Sequence, residues 1–106
     1  MEVSVEKRNI DRAGFEDAAY MLKALSNEIR LSVILELSKE EERSVSELMN
    51  KIDCEQSLLS HHLTDMRAKG ILSCRKSGKN CFYSLKNKRV TQLLNCLIDC
   101  STNKYE

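Results

Sequence analysis

A chain of 106 residues with a formal net charge of +1 has the size of one domain. It has no Trp, no Pro and only three Gly among plentiful aliphatic residues, a mostly helical composition. No run of about 18 apolar residues occurs, which excludes a membrane-spanning helix. The opening stretch, MEVSVEKRNIDRAGFED, is charged and lacks the apolar centre of a signal peptide, so the protein is expected in the cytoplasm. There the five cysteines are expected to be reduced, and an odd number argues against a closed disulfide framework. A core this small gains from a partner subunit.

The near-zero net charge conceals an asymmetry. Residues 54–89 carry eight basic against two acidic residues, a net +6, and the rest of the chain sums to −5. A basic segment on an acidic body predicts that one face meets a polyanion, against the plainer reading of a solvated surface.

Residues 1–14 carry charge without an apolar stripe and are expected to be flexible; one domain is expected over 15–103. In 15–25, Phe15, Ala18, Ala19, Leu22 and Leu25 recur at helical spacing, which predicts an amphipathic helix. Ser26 or Asn27 can cap a second helix, striped by Ile29, Val33, Ile34 and Leu37. KEEER, residues 39–43, reads as a charged, solvated link. Ser44 and Glu47 form a capping box for a third helix whose inward residues are Val45, Leu48, Met49 and Ile52. A break at 53–54 leads to a fourth helix with Leu58, Leu59, Leu63 and Met66 as its stripe and Gly70 as its stop.

The period then changes to two. ILSCRK and KNCFYSL flank Ser77–Gly78, a tight hairpin turn that would set Cys74 opposite Cys81 and Leu72 opposite Tyr83. Asn87 can cap a last helix over 88–101, striped by Val90, Leu93, Leu94, Leu97 and Ile98. The expected fold is mainly α with a β-hairpin wing: a winged helix-turn-helix of five helices and a two-stranded hairpin.

The fourth helix carries the functional signal. Gln56, Ser57, Ser60, His61 and Thr64 project away from its stripe, with His62 at the edge. These side chains donate to phosphates and base edges, and a recognition helix enters the major groove with its N-terminal half. Arg67 and Lys69 suit the DNA backbone, and Arg75, Lys76, Lys79 and Asn80 at the hairpin tip suit phosphates or the minor groove. Adjacent histidines diverge by about 100° on a helix, so His61 and His62 do not form a metal pair. No strained nucleophile motif or flanking carboxylate pair suggests an enzyme.

The segments LKALSNEIRLSVILEL, SVSELMNKI, SLLSHHLTDMRAKGIL and CRKSGKNCFYSL resemble the ArsR/SmtB family of small winged-helix repressors, over residues 18–100. The resemblance implies a homodimer that binds two-fold operator DNA and releases it when an inducer binds. It implies a dimer interface on the first and last helices, 15–25 and 88–101, with Phe15, Leu22, Val90, Leu93, Leu94 and Leu97. The family's metal sites are not filled. The third-helix Cys-x-Cys falls on Ser44 and Ser46, poor soft-metal ligands. The last-helix zinc pattern falls on Asn87, Arg89, Cys100 and Asn103. The family's dithiol sensors pair a last-helix cysteine, here Cys96 or Cys100, with a second-helix cysteine, here Leu35.

No cofactor is therefore required, although a thiophilic metal or metalloid remains a candidate ligand. Cys96 and Cys100, four apart on one helix face, are the first sensor candidates, against a role as buried interface residues. Cys54, just before the recognition helix, is another, against simple packing. Cys74 and Cys81 read first as small apolar residues in the wing, with a disulfide that alters its twist as the alternative. The expected function is a sequence-specific double-stranded DNA-binding repressor, not an enzyme, released through cysteine chemistry by a persulfide, an oxidant or a thiophilic ion. A regulator with no inducer of its own and a protein-interaction module stay open.

Overall fold

The computed structural model of the protein describes residues 11–101. Its elements run α1 (Arg12–Leu25), α2 (Glu28–Lys39), β1 (Arg43–Ser44), α3 (Val45–Lys51), α4 (Gln56–Ala68), β2 (Leu72–Ser77), β3 (Asn80–Leu85) and α5 (Arg89–Ser101). Short polar side chains set most of the helix starts by accepting otherwise orphaned backbone N–H groups. Asp11 accepts from Gly14, so α1 begins ahead of the expected Phe15. Residues 12–14 of the segment expected to be flexible thus belong to this helix, with Asp11 as its cap, and residues 1–10 lie outside the described residues. Asn27, rather than Ser26, caps α2 through Ile29 and Arg30. The Ser44–Glu47 capping box is present on α3. Gly70, at φ +80°, ends α4: its own N–H reaches the Arg67 carbonyl and the Ile71 N–H reaches that of Met66, a Schellman motif.

The sheet departs from the expected two-stranded hairpin. It has three antiparallel strands in the order β1-β3-β2, with Arg43 opposite Tyr83. Arg43 is not part of a solvated link: its Nε donates to the Glu36 carbonyl at 3.1 Å and its Nη2 lies 3.6 Å from the Glu36 carboxylate. That anchorage lays residues 43–44 along β3. The hairpin turns at Gly78–Lys79, one residue later than expected, because Gly78, at φ +62°, supplies the positive φ of the first turn position. Cys74 therefore pairs with Tyr83 and Leu72 with Leu85, a slip of two residues that keeps every side chain on its expected face.

Val33 and Ile34 of α2, Leu48 of α3, and Leu59, Leu63 and Met66 of α4 have no exposed surface and form the centre of the core. Truncating Ile34, Met66 or one of these leucines to Ala costs about 2–5 kcal/mol. The α4 stripe is Leu59, His62, Leu63 and Met66, whereas Leu58 is 42% exposed. A stripe follows the i, i+3, i+4, i+7 geometry and not hydrophobicity alone, so His62 takes the place expected for Leu58.

His62 is buried because it has a partner. The Arg30 Nε of α2 donates to its Nδ1 at 2.8 Å, while Nη1 of the same guanidinium donates to the Ala24 carbonyl of α1 at 2.9 Å and lies 2.7 Å from Asp65. Lys69 completes the cluster, 2.8 Å from Asp65. Burial, then the Arg30 and His61 charges, holds the His62 pKa below its ordinary 6.5 against the opposing pull of Asp65. The unfolded imidazole therefore takes up a proton at higher pH than the folded one. The stability this neutral imidazole provides is full above pH 6.5 and is lost as pH falls from there toward the lower folded pKa. Urea denaturation should show that decline, and His62→Gln, which keeps an acceptor but does not titrate, should flatten it. Equal slopes in the two proteins would exclude a buried neutral His62.

Candidate nucleic-acid interface

The outward face of α4 matches the expectation at most positions. Gln56, Ser57, His61, Thr64 and Arg67 are exposed and Ser60 is half-buried. Glu55 precedes the helix without making a side-chain cap, which leaves first-turn N–H groups open to an outside acceptor. His62 is the exception, turned inward onto Arg30, and it leaves the set of contact residues. Lys69 is held by Asp65.

Between α3, α4 and the hairpin tip lies an open groove of about 490 Å³ lined by Ser46, Asn50, Gln56, Ser60, Lys79 and Asn80, among others. Asn50 is not singled out from sequence, and Ser46 is named there only as a position of the metal-site pattern, not as a groove residue. Their signal was available: the α3 stripe at Val45, Leu48, Met49 and Ile52 leaves 46 and 50 four apart on the other side of the helix.

The wing carries its charge unevenly. Among the described residues, Lys76 and Lys79 are exposed and make no ion pair. Arg75, expected on phosphates, is instead fixed by the Glu42 carboxylate through Nε at 2.9 Å and Nη2 at 2.8 Å, and lies over the Phe82 ring at 4.8 Å. Its partners share the sheet face turned away from buried Leu72, Tyr83 and Leu85. The Arg75 hydrogen bond holds the Glu42 carboxyl below its usual range, and Glu42 in turn raises the guanidinium pKa. Both groups stay charged, and Arg75 reaches a phosphate only by exchanging one anion for another.

A second surface is apolar. Leu22 of α1 and Leu93 and Leu97 of α5 are 51%, 41% and 53% exposed, and with Leu25 and Leu31 they line a cleft of about 150 Å³. Of the other residues expected at a dimer interface, Phe15 is half-buried, and Val90 and Leu94 are buried in this chain's own core.

The cysteines divide three ways. Cys96 and Cys100 are exposed on α5, and Cys54 is partly buried against the core. Cys74 and Cys81, expected to be reduced, form a disulfide across the wing with Cα atoms 6.2 Å apart. In the observed register the two are diagonal rather than opposed neighbours on one sheet face, still within reach of each other. The family's metal sites do not fit this chain. The Ser44 hydroxyl is committed to its cap and Asn87 to the Arg89 N–H, and Asn103 lies outside the described residues. Among the described residues no group of three or more His, Cys, Asp or Glu could hold a metal.

A helix-turn-helix with a basic wing decides the comparison with known proteins. The model of the bacterial regulatory protein, arsR family, matches residues 27–73. A cadmium resistance transcriptional regulatory protein CadC homolog from Staphylococcus aureus is 34% identical over 88% of this chain and 77% of its own. The chain belongs to the arsR family. Its fold is similar to the transcriptional repressor BigR from Xylella fastidiosa, with a TM-score of 0.76, 33% identity, and coverage of 90% of this chain and 93% of that one. It is also similar to reduced HlyU from Vibrio cholerae, with a TM-score of 0.72 and 32% identity over 90% of this chain and 94% of that one. This arsR-family protein is a DNA-binding transcription regulator and not an enzyme. No helix among the described residues is long and apolar enough to cross a membrane.

The Glu42–Arg75 pair yields a direct expectation. Glu42→Gln should release the guanidinium, tighten binding to a random-sequence duplex by about threefold and steepen the salt dependence by about one ion. Lys79→Ala should weaken binding to all sequences alike and lower that slope. Fluorescence anisotropy across a salt series measures both, and an unchanged slope in Glu42→Gln would mean that Arg75 does not reach the DNA.

Proposed function

We propose that this arsR-family regulator is a homodimeric repressor that binds a two-fold operator in double-stranded DNA and leaves it when thiols on α5 are modified or ligated. The observation that carries the reading is the exposed polar face of α4, set beside the cationic wing tip across an open groove. In this reading Gln56, Ser57, Ser60, His61 and Thr64 face base edges and phosphates in the major groove. Arg67, Lys76 and Lys79 neutralise backbone phosphates, with Arg75 joining them when it leaves Glu42. Repression follows from occupancy: a dimer on its operator excludes other proteins from the DNA it covers.

The apolar face of α1 and α5 supports the dimer. A two-fold interface is self-complementary, so Leu22, Leu93 and Leu97 of each copy would cover those of the other and space the two α4 helices about one DNA turn apart. Leu97→Glu should shift sedimentation to a monomer and abolish tight operator binding while leaving weak binding to random DNA. A dimer that survives Leu97→Glu together with Leu93→Glu would place the interface elsewhere.

The inducer reading rests on Cys96 and Cys100. They are exposed, four apart on the helix that carries the apolar stripe, so a bond or ligand joining them changes the surface on which the dimer depends. A persulfide or other oxidant needs only these two thiols. A thiophilic ion needs further ligands, which the second copy's α5 would supply; DNA binding itself needs no cofactor. Cys54 is the weaker sensor because it packs on the core. A second reading, a regulator without its own inducer, is favoured by the same placement, since Cys96 and Cys100 sit in register with Leu93 and Leu97 as packing residues would.

The test starts from a duplex selected out of a random library. Gln56→Ala and His61→Ala should cost about 1–3 kcal/mol on that duplex and little on random DNA. Polysulfide, diamide or arsenite should release the wild type and not Cys96→Ser/Cys100→Ser. Equal losses on both duplexes would remove α4 as the reading helix, and release that survives the double substitution would remove the α5 thiols.

A further inference from the structure

The Cys74–Cys81 bond lies where the wing changes character. Below it the hairpin is anchored in the core through Leu72, Tyr83 and Leu85. Above it every residue from Arg75 to Asn80 is exposed. Cys74 and Cys81 are themselves partly buried and pack against the core edge, so they are the last inward anchors before the tip. The register makes them diagonal, Cys74 opposite Tyr83 and Cys81 opposite Lys76, so their bond braces the ladder obliquely rather than repeating one of its rungs. Cys81 also lines the open groove between the wing and α4. Lys76 stands across from it and Lys79 lines the same groove.

We propose that Cys74 and Cys81 form a reversible dithiol–disulfide site, distinct from the α5 cysteines, and that the bonded state is the tighter DNA-binding state. The proposal rests on the DNA-binding reading above. A regulator acting on DNA works among reduced thiol pools, where a disulfide is transient and regulatory rather than a permanent staple. Reduction proceeds by exchange with a dithiol reductant. Its thiolate attacks the groove-side Cys81 Sγ, the Cys74 Sγ leaves as thiolate and takes a proton, and the second reductant thiol displaces Cys81, so the reductant departs as a disulfide. Reformation consumes one hydroperoxide: both thiols lose a proton and an electron each, the S–S bond forms, and the peroxide leaves as alcohol and water. With the bond made, Lys76, Lys79 and Arg75 are held at one angle to α4. With it broken, Arg75 keeps its Glu42 pair, but the tip beyond it, with Lys76 and Lys79, is ordered only by ladder hydrogen bonds, and that ordering must be supplied on binding DNA.

The experiment uses the full chain with Cys54, Cys96 and Cys100 changed to Ser, oxidised by a hydroperoxide or reduced by dithiothreitol, on a duplex selected from a random library. Mass spectrometry should find the Cys74–Cys81 bond in the first form and two free thiols in the second. Anisotropy should give about fivefold tighter binding by the oxidised form. Cys74→Ser/Cys81→Ser, in the otherwise native chain, should bind like the reduced form, which keeps the test valid if the triple variant folds poorly. By reciprocity, saturating DNA should shift the disulfide's midpoint potential by about 20 mV toward the bonded state, the equivalent of fivefold for a two-electron couple. Equal affinities in the two states, or tighter binding when reduced, would overturn the proposal while leaving the DNA-binding reading intact. Failure of both forms to bind any duplex would instead overturn that reading.

Discussion

One guanidinium orients the surface on which the function depends. Arg30 grows from the first turn of α2, closes the C-terminal end of α1 through the Ala24 carbonyl, and grips α4 twice, at His62 and Asp65. Its side chain is only 12% exposed, so these are not screened surface pairs. Removing Arg30 would leave the buried His62 Nδ1 without its donor, which costs more than the contact itself contributes, while Asp65 would keep Lys69. The apolar stripe holds α4 against the core, and Arg30 adds directional bonds to that non-directional packing. A winged helix needs both, because a rotation of α4 about its axis would exchange the face of Gln56, Ser60 and His61 for another.

The remaining surface divides by chemistry. The polar face of α4 and the tip of the wing flank an open groove, and the leucines of α1 and α5 form an apolar patch. The acidic residues are not spread evenly: Glu41 and Glu42, at the end of the link before β1, pair with Lys88 and Arg75. Those pairs withdraw two cations from the excess counted along 54–89, and they leave Lys76 and Lys79 at the tip available to a polyanion. The wing is held by three contacts: the acid that pairs with Arg75, the ring of Phe82 beneath it, and the bond between Cys74 and Cys81.

Most of the architecture was legible in the sequence because its signals are local. The Ser44–Glu47 box, the Asn27 cap and the Gly70 stop each act within a few residues, and each is found where the pattern places it. What escaped depends on contacts between distant residues. His62 looks polar and outward until Arg30, thirty-two residues earlier, is brought to its Nδ1. Arg75 looks like a free phosphate ligand until the third strand brings Glu42 beside it, thirty-three residues away. The strand Arg43–Ser44 was hidden in a charged run because nothing local announces the Glu36 contact that anchors it. The Cys74–Cys81 bond was half legible: the sequence sets the two across the hairpin and only the expectation of reduced thiols argues against it, while Gly78 as the first turn residue makes them diagonal rather than opposed.

The outward face of α4 and the tip of the wing are the surfaces proposed to meet DNA. A ¹H–¹⁵N spectrum titrated with a selected duplex tests that proposal residue by residue. Shifts and broadening should concentrate at Gln56, Ser57, Ser60, His61 and Thr64 and at Lys76 and Lys79, with Leu22, Leu93 and Leu97 unmoved. Perturbations centred on α1 and α5, with α4 silent, would contradict the proposal.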